Sequence, residues 1–266
     1  MHKSLRYRLW TGGVVAIGVF SFLYPFVVPP PGEEVLHKPV HDTVNNIPDF
    51  SQHVSVVDKK KAFFNYIKPE VEKQNQKILE QRSFVLAFQE RFRSQPSAPN
   101  TTIDTIELGR FKVIAKEYDV EVSELNEAAF DTLLQRVDVI PIELVLVQAA
   151  NESAWGTSRF ARLGFNFFGM WCYKKGCGFV PLRRSADMKH EVAKYTSLEE
   201  GVAKYLNTLN RHYAYADLRY IRSVLRETQQ PITGEALAEG LLHYSERGQA
   251  YVEELQSMIR VNRKFM

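Results

Sequence analysis

The sequence lacks a strong excess of charge of either sign, and this absence excludes several classes of protein. Its 34 Lys and Arg residues against 31 Asp and Glu residues give a net charge of only +3. The basic residues form no stripe with interleaved aromatics, so nucleic-acid binding is not expected, although a slightly basic surface would suit an anionic polymer. Because 45% of the residues are hydrophobic, the chain can bury a core and is not a disordered protein. It contains no internal repeat.

The amino terminus is first basic and then strongly apolar. Lys3, Arg6 and Arg8 precede residues 9–28, an almost uninterrupted apolar run that is long enough to cross a bilayer. The run lacks a small-x-small cleavage site and instead meets Val-Pro-Pro-Pro-Gly. We therefore expect residues 1–28 to be an uncleaved signal anchor, with a removed signal peptide as the alternative. In both cases the remainder of the chain is exported.

The rest of the chain divides into three segments by composition. Residues 29–56 are rich in Pro, Asn, Asp and Val without a period, which predicts an extended linker. Residues 57–122 show helical periodicity and form a helical N-terminal region, in which Pro69 should split or kink the first helix. Residues 123–266 form the main domain, and Ser123 is expected to cap its first helix.

Within the main domain the pattern changes at about residues 166–196. Glycines fall among aromatics there, and short runs at about residues 168–173, 178–182 and 190–195 are typical of strands. After residue 198 the helical period returns and continues to the end of the chain. The sequence therefore predicts a mainly α fold with a small β-hairpin lobe.

One carboxylate, Glu152, lies in surroundings that are otherwise apolar. Pro141 opens a helix that Gly156 ends, and the buried face of this helix carries Val145, Leu146 and Ala149. Glu152 is then in the last turn, where the helix dipole and the neighbouring Trp155 disfavour its ionised form and should raise its pKa. A carboxyl that is protonated near neutral pH can act as a general acid. The alternative is a solvated Glu at a helix end.

Cysteine is scarce, with two residues in the whole chain, Cys172 and Cys177. In an exported protein, a pair so close together is more typical of a disulfide than of a metal site. Zinc would need further ligands, and His190 is the nearby candidate. We therefore expect a disulfide inside the β-lobe, with no metal and no cofactor.

Several short motifs follow one another along the second half of the chain. They are Ala149-Ala-x-Glu-Ser-x-Trp-Gly156, Ser158, Asn166-Phe-Phe-Gly169, Tyr195-x-Ser197 with Glu200 and Tyr205, and Tyr244 followed by Tyr251. This ordered set resembles the glucosaminidase domain of bacterial peptidoglycan hydrolases and, within that family, the Bax proteins of Gram-negative bacteria. The resemblance covers about residues 131–266, and the helical segment from residue 57 also looks Bax-like.

The resemblance implies a lysozyme-like fold, with an α-lobe and a β-lobe flanking a groove. It also implies cleavage of the β-1,4 bond after N-acetylglucosamine in peptidoglycan, whose glycan strands would be the binding partner. The anchored chain would then cross the bacterial inner membrane once and hold its catalytic domain in the periplasm. Secretion to the periplasm after signal cleavage is the alternative, and the residues identify no protein partner.

The family's site residues can be assigned one by one. Glu152 matches the catalytic acid. The positions expected to bind substrate, or to build the turn and wall beside the acid, are Trp155, Asn166, Phe168, Tyr195 and Tyr244. Each has a structural alternative, since Trp155 and Phe168 can be core residues, Asn166 can bond a turn and Tyr195 can serve packing.

The second catalytic group is where the chain departs from its family. Relatives with two carboxylates place a second Glu on the β-hairpin, and here the available residues are Asp187 and Glu191. Glu191 lies on a predicted strand that returns toward the groove, so we assign it the second role, with a solvated strand Glu as the alternative. Without a second carboxylate, the acetamido group of the substrate could supply the nucleophile.

These observations favour an exported N-acetylglucosaminidase in which Glu152 protonates the glycosidic oxygen and water completes the hydrolysis. The first rival is a lytic transglycosylase, which likewise can use a single Glu but forms an anhydro product. The second rival is a non-catalytic protein that binds the cell wall.

Overall fold

A computed structural model of the chain describes residues 47–94, 105–181 and 189–266. The predicted anchor, most of the predicted linker and Asp187 lie outside these residues. In the described residues the α-helices are α1 Val56–Ser94, α2 Thr105–Glu117, α3 Glu127–Arg136, α4 Ile142–Glu152, α5 Arg159–Gly164, α6 Leu198–Arg211, α7 Ala216–Glu227, α8 Gly234–Ala238 and α9 Gln249–Asn262. The strands are β1 Trp171–Cys172, β2 Gly178–Phe179 and β3 Glu191–Ala193. The expectation of a mainly α fold with a small β region is confirmed.

The long helix α1 is not split at Pro69, which was one of the two outcomes expected for this proline. The residue lies inside the helix, which continues through it to Ser94. Proline removes one backbone hydrogen bond, and here the packing of a buried face containing Phe63, Ile67 and Val71 offsets that loss. The first half of the helix is thereby a continuous surface against which other elements pack.

Helix α3 begins later than predicted. Its cap is Asn126, whose side chain accepts a hydrogen bond from the backbone N–H of Ala129, and the helix starts at Glu127. The expectation that Ser123 caps this helix was wrong. Both residue types are good caps, so composition alone does not distinguish them.

Helix α4 lies at the centre of the core. All its residues from Leu144 to Ala150 are buried, and side chains of α1, α6 and α9 join the same hydrophobic cluster. Residues 57–122 and residues 123–266 therefore contribute to one core. Because this burial holds α4 in place, it also fixes the position of the last residue of the helix, Glu152.

The β region is a three-stranded antiparallel sheet with β3 in the centre. The strands lie where the sequence predicts them, but β1 and β2 both pair with β3 and do not form a simple hairpin with each other. Gly178 has no room for a side chain, because a Cβ atom would lie 1.9 Å from the carbonyl oxygen of Val192. The close approach of β2 to β3 thus depends on glycine.

A buried ion network fixes the connection between α3 and α4. Asp138, 2% exposed, accepts hydrogen bonds from Arg226 and lies 3.5 Å from Nη1 of Arg82 and 3.8 Å from Nε of Arg222. Nη1 of the buried Arg222 also donates to the carbonyl oxygens of Asp138 and Val139, at 3.0 Å each. Burial alone would raise the pKa of Asp138, but the bond from Arg226 and the charges of Arg222 and Arg82 outweigh it and lower that pKa.

Among the described residues, no helix combines the length and the apolar character that a membrane span requires. The predicted anchor at residues 9–28 lies outside the part of the chain in which this was assessed.

Candidate active site

Glu152 is the last residue of α4, and the chain turns sharply after it. Ala154, Trp155 and Gly156 have positive φ angles of 51°, 59° and 76°. The turn is closed by Ser153, whose hydroxyl donates to the carbonyl oxygen of Ala149 and accepts from the N–H of Gly156. Position 156 must be glycine, because a Cβ atom there would lie 2.4 Å from Cδ2 of Phe50. Three consecutive residues in the left-handed backbone conformation thus turn the chain just after Glu152, at the end of the helix.

Trp155 is partly buried and packs against α1. Its ring lies 5.7 Å from that of Phe63 and 5.3 Å from that of Phe64, and Nζ of Lys60 is 5.1 Å from its centroid. These contacts favour the core interpretation of Trp155. They also anchor the turn that follows Glu152.

The pKa of Glu152 is raised, as the sequence predicts. Burial of the carboxyl is the main cause, whereas the sequence pointed to the helix dipole and Trp155. Hydrogen bonds from Tyr251 and Asn151 act in the opposite direction, while the charge of Glu254 adds to the increase. The net result is a half-buried acid that holds its proton to higher pH than an ordinary Glu.

A chain of buried hydrogen bonds ends on this carboxyl. The hydroxyl of Tyr205 donates to Oε1 of Gln148, and Nε2 of Gln148 donates to the hydroxyl of Tyr251 at 3.0 Å. Tyr251 in turn donates to Oε1 of Glu152 at 2.8 Å. Sequence reasoning missed the role of Gln148, although a Gln four residues before Glu152 on an apolar helix was a signal. Oε1 of Glu152 is therefore the oxygen that is already hydrogen-bonded within the protein.

The other oxygen, Oε2, faces Gly169. A Cβ atom at Gly169, where φ is +64°, would lie 3.5 Å from this oxygen. The turn is held by Asn166, which donates to the carbonyl oxygens of Met170 and Ala193, both at 2.8 Å, and accepts from the N–H of Met170. Asn166 is buried, so these contacts favour its interpretation as a turn-bonding residue. It positions Gly169 beside the acid.

Phe168 and Tyr244 pack against the tyrosines of the hydrogen-bond chain that ends on Glu152. The ring of Phe168 is buried and stacks on that of Tyr205, with centroids 3.9 Å apart. Tyr244 donates to the carbonyl oxygen of Phe168 at 2.7 Å, and its ring is parallel to that of Tyr251 at 5.6 Å. Both residues therefore contact the network around Glu152 directly.

Tyr195 lies where the chain leaves β3 for α6. Its N–H donates to the carbonyl oxygen of Gly164 at 2.9 Å, and its ring approaches the position of Gly201. These contacts favour the packing interpretation.

Glu191 occupies a position of a different kind. It is 5% exposed and lies opposite Cys172 in the β1–β3 register. Its Oε1 accepts from the N–H of Gly176 at 2.9 Å and its Oε2 from the N–H of Gly178 at 2.8 Å. Both oxygens are thus engaged by the loop between β1 and β2. The assignment of Glu191 as second catalytic carboxylate stays a prediction.

The sulfur atoms of Cys172 and Cys177 are joined, with their Cα atoms 6.3 Å apart, as the predicted disulfide requires. Among the described residues, these two sulfurs and the Glu191 carboxylate form a group whose atoms lie within 4.8 Å of one another, a spacing that could suit a metal ion. Sulfurs bonded to each other offer no thiolate to a metal. The oxidised pair is therefore a covalent bridge and not a ligand set.

A row of tyrosine rings adjoins Glu152. The ring of Tyr215 lies 5.9 Å from that of Tyr244, which stacks at 5.6 Å on Tyr251, the hydrogen-bond donor to Glu152. The pKa of Tyr215 is raised to about 12, first by burial and then by the charge of Glu152 and by Tyr173. Trp171 on β1 and Tyr173 just after it are exposed.

A cavity of about 340 Å³ lies elsewhere, beside the Asp138 network, and Glu152 does not line it. The charged groups around that cavity bond chiefly to one another and to backbone carbonyls. This cavity is thus separate from the region around Glu152.

This geometry defines a helix-borne carboxyl acid at an aromatic-lined edge, and the chain belongs to the glucosaminidase family. The family model described as mannosyl-glycoprotein endo-beta-N-acetylglucosaminidase matches residues 127–264. The chain is similar to Protein bax of Escherichia coli (strain K12), with 33% identity over 223 residues that cover 84% of this chain and 76% of that protein. No solved structure matches. The resemblance drawn from the motifs is confirmed.

Proposed function

We propose that the protein is a peptidoglycan hydrolase that cleaves the β-1,4 bond after N-acetylglucosamine, with Glu152 as the general acid. Family membership supports a glycoside hydrolase that acts on peptidoglycan. The observation that carries the assignment is the state of Glu152, which is half-buried, has a raised pKa and accepts a bond from Tyr251 on one oxygen only. Oε2 is then the oxygen that holds the proton.

In this mechanism Glu152 donates its proton to the glycosidic oxygen as the bond to the anomeric carbon breaks. Gly169 leaves the space beside Oε2 that a sugar oxygen needs. Tyr251, held by Gln148, keeps the carboxyl in one orientation throughout. After departure of the leaving group, the ionised carboxylate is stabilised by the Tyr251 hydroxyl.

The group that completes the hydrolysis has two candidates. Glu191 would have to release its bonds to Gly176 and Gly178 before acting on a sugar or on water. The acetamido group of the substrate requires no such release, and it then serves as the internal nucleophile before water attacks. We favour the acetamido route for this reason.

The proposed location follows from the substrate, since peptidoglycan lies outside the cytoplasm. The Cys172–Cys177 bridge is typical of an oxidising compartment. We propose that residues 9–28 tether the chain to the inner membrane and that the described residues act in the periplasm.

Product analysis tests the function. Full-length protein in detergent is incubated with purified peptidoglycan, and the soluble fragments are examined by mass spectrometry. We expect fragments that end in reducing N-acetylglucosamine. An anhydro-muramyl end would instead identify a lytic transglycosylase, and binding without release of fragments would identify a wall-binding protein.

The substitution Tyr251→Phe should move the alkaline limb of the pH profile to higher pH. The Tyr251 hydroxyl stabilises the ionised form of Glu152, so its removal raises the pKa of Glu152 further. A general acid works in its protonated form and loses activity as pH rises through its pKa, and the limb therefore shifts upward. The measurement is kcat/KM for fragment release between pH 4 and 9, with the exposed Tyr220→Phe as control. If the alkaline limb of the pH profile did not move, the result would contradict the role of the hydrogen bond from Tyr251 to Glu152.

A further inference from the structure

The loop between β1 and β2 is held more firmly than a simple connection requires. The Cys172–Cys177 bridge closes it, and the N–H of Cys177 donates to the carbonyl oxygen of Lys174 at 3.0 Å. The buried carboxylate of Glu191 accepts N–H bonds from both Gly176 and Gly178. Burying a carboxylate is costly unless it is well hydrogen-bonded, and these two bonds offset that cost only while the loop backbone keeps its present position. The residues at the tip are thereby preorganised.

The tip of this disulfide loop, residues 173–175, presents polar and aromatic side chains to solvent. Tyr173 is 75% exposed, and Lys174 and Lys175 are exposed as well. Ordering these residues costs conformational entropy, and because they are exposed, core packing does not offset that cost. Such an arrangement is typical of a binding element, because preorganisation lowers the entropy lost when a ligand binds.

The disulfide loop follows closely on the turn that lies beside the acid. A Cβ atom at Gly169 would lie 3.5 Å from Oε2 of Glu152, and β1 begins two residues later at Trp171. The pKa of Tyr215, whose ring lies 5.9 Å from that of Tyr244, is also raised by both Glu152 and Tyr173. A ligand that reaches Glu152 along this edge would therefore pass Tyr173.

The residues that form and flank the β-sheet carry more exposed cations than carboxylates. Residues 157–181 and 189–194 contain one carboxylate, that of Glu191, which is buried and bonded to backbone N–H groups. The same residues carry exposed cations at Arg159, Arg162, Lys174, Lys175, Lys189 and Lys194. Arg162 lies 3.8 Å from the carboxylate of Asp49. An excess of exposed cations attracts anionic ligands and raises their local concentration.

We propose that the disulfide loop is a substrate-binding element that recognises the peptide-bearing form of the glycan. Tyr173 stacks on the apolar face of a sugar, while Lys174 and Lys175 bind the free carboxylates of the peptides attached to the strand. This inference rests on the proposed function, since it names the part of the same substrate that the β-lobe contacts. Glu191 is then a positioning residue that acts through the loop.

Binding measurements test the lysines without depending on hydrolysis. The double variant Lys174→Gln/Lys175→Gln is made in full-length protein that carries Glu152→Gln, and binding is measured to intact peptidoglycan and to glycan strands from which the peptides have been removed. We expect affinity for intact peptidoglycan to fall several-fold, up to about fivefold per lysine for exposed ion pairs. Affinity for peptide-free strands should stay the same, and the difference should shrink at high salt.

The matched control is Lys112→Gln/Lys116→Gln, which removes the same charge from exposed positions on α2. An equal loss in this control, an equal loss on peptide-free strands, or no loss at all would overturn the role of the lysines. Because all of these proteins carry Glu152→Gln, the outcome does not depend on whether Glu152 is the acid. A failure of the proposed function appears separately, in the product analysis.

Kinetics test the role of Glu191. In protein that retains Glu152, Glu191→Gln should raise KM for intact peptidoglycan several-fold and leave kcat within about twofold. Reduction of the Cys172–Cys177 bridge, or the variant Cys172→Ser/Cys177→Ser, should give the same pattern because both loosen the loop. A loss in kcat of tenfold or more at unchanged KM would overturn the positioning role and identify Glu191 as the second catalytic carboxylate.

Discussion

Protein that carries Glu152→Gln is expected to lose about 10²–10⁴-fold of its rate of fragment release from peptidoglycan. Glutamine keeps the size of the side chain and can still accept the hydrogen bond from Tyr251, but it has no acidic proton for the leaving oxygen. Since the residue is half-buried at the end of α4 and not deep in the core, the melting temperature should change little. The measurement is release of soluble fragments together with a thermal unfolding curve.

The matched control for this substitution is Glu253→Gln. Glu253 is an exposed residue of α9, two positions from Tyr251, so the same replacement of a carboxyl by an amide is made without touching the hydrogen-bond network. Its activity should equal that of the unaltered protein. Full activity of the Glu152→Gln protein would remove Glu152 from the mechanism.

Asp138→Asn should produce the largest loss of stability, about 3–5 kcal/mol in the free energy of unfolding. The neutral amide lacks the negative charge of Asp138, which balances the positive charges of the buried Arg222 and the partly buried Arg82 and Arg226. A guanidinium without its counter-ion in a buried site is costly. The melting temperature should fall by roughly 6–20 °C for a domain of this size.

Asp217→Asn, at an exposed position in the first turn of α7, is the control for Asp138 and should lower the melting temperature by at most a few degrees, since it removes only a favourable interaction with the helix dipole of about 0.3–1 kcal/mol. The pH dependence provides a second check. Because the pKa of Asp138 is lowered on folding, its contribution is present above the pKa of the unfolded chain and is lost as pH falls through the folded value. Equal melting temperatures for the Asp138 variant and the unaltered protein would show that the network does not stabilise the fold.

The position of Glu152 could be predicted because its signals are local. An apolar helical period and a proline at the start place Glu152 in the last turn, and in the structure it is the last residue of the helix, which ends four residues before Gly156. The direction of the pKa shift of Glu152 was predicted as well, but from the helix dipole and Trp155, whereas burial of the carboxyl is its main cause. The strand positions could be predicted for a similar reason, since glycine and aromatic residues mark them directly.

The surroundings of the acid could not be predicted in the same way, because they depend on residues far apart in sequence. Tyr251 reaches Glu152 from α9, and Tyr205 reaches Gln148 from α6. Trp155 was assigned to the groove, and its contacts with α1 depend on side chains that lie about 90 positions earlier. Periodicity describes which face of a helix is apolar but does not identify its neighbour.

Glu191 illustrates a second limit. Its partners are backbone N–H groups of Gly176 and Gly178, and backbone groups have no signature in a sequence. A strand carboxylate that caps a loop therefore has the same sequence pattern as one that faces a groove. The pairing of both outer strands with β3 was missed for the same reason, since register depends on those bonds.

The contact between α1 and the turn after Glu152 has a consequence for the order of folding. Phe63 and Phe64 are synthesised long before Trp155, yet they pack against it in the folded protein. During synthesis, the apolar face of α1 is without these partners until the ribosome has passed α4, and contacts of such sequence separation form slowly. The turn after Glu152 therefore gains the support of α1 only after α4 has been made, and the carboxyl acquires its final orientation later still, when Tyr251 of α9 is available. An unfinished chain would carry the acid without the support that orients it.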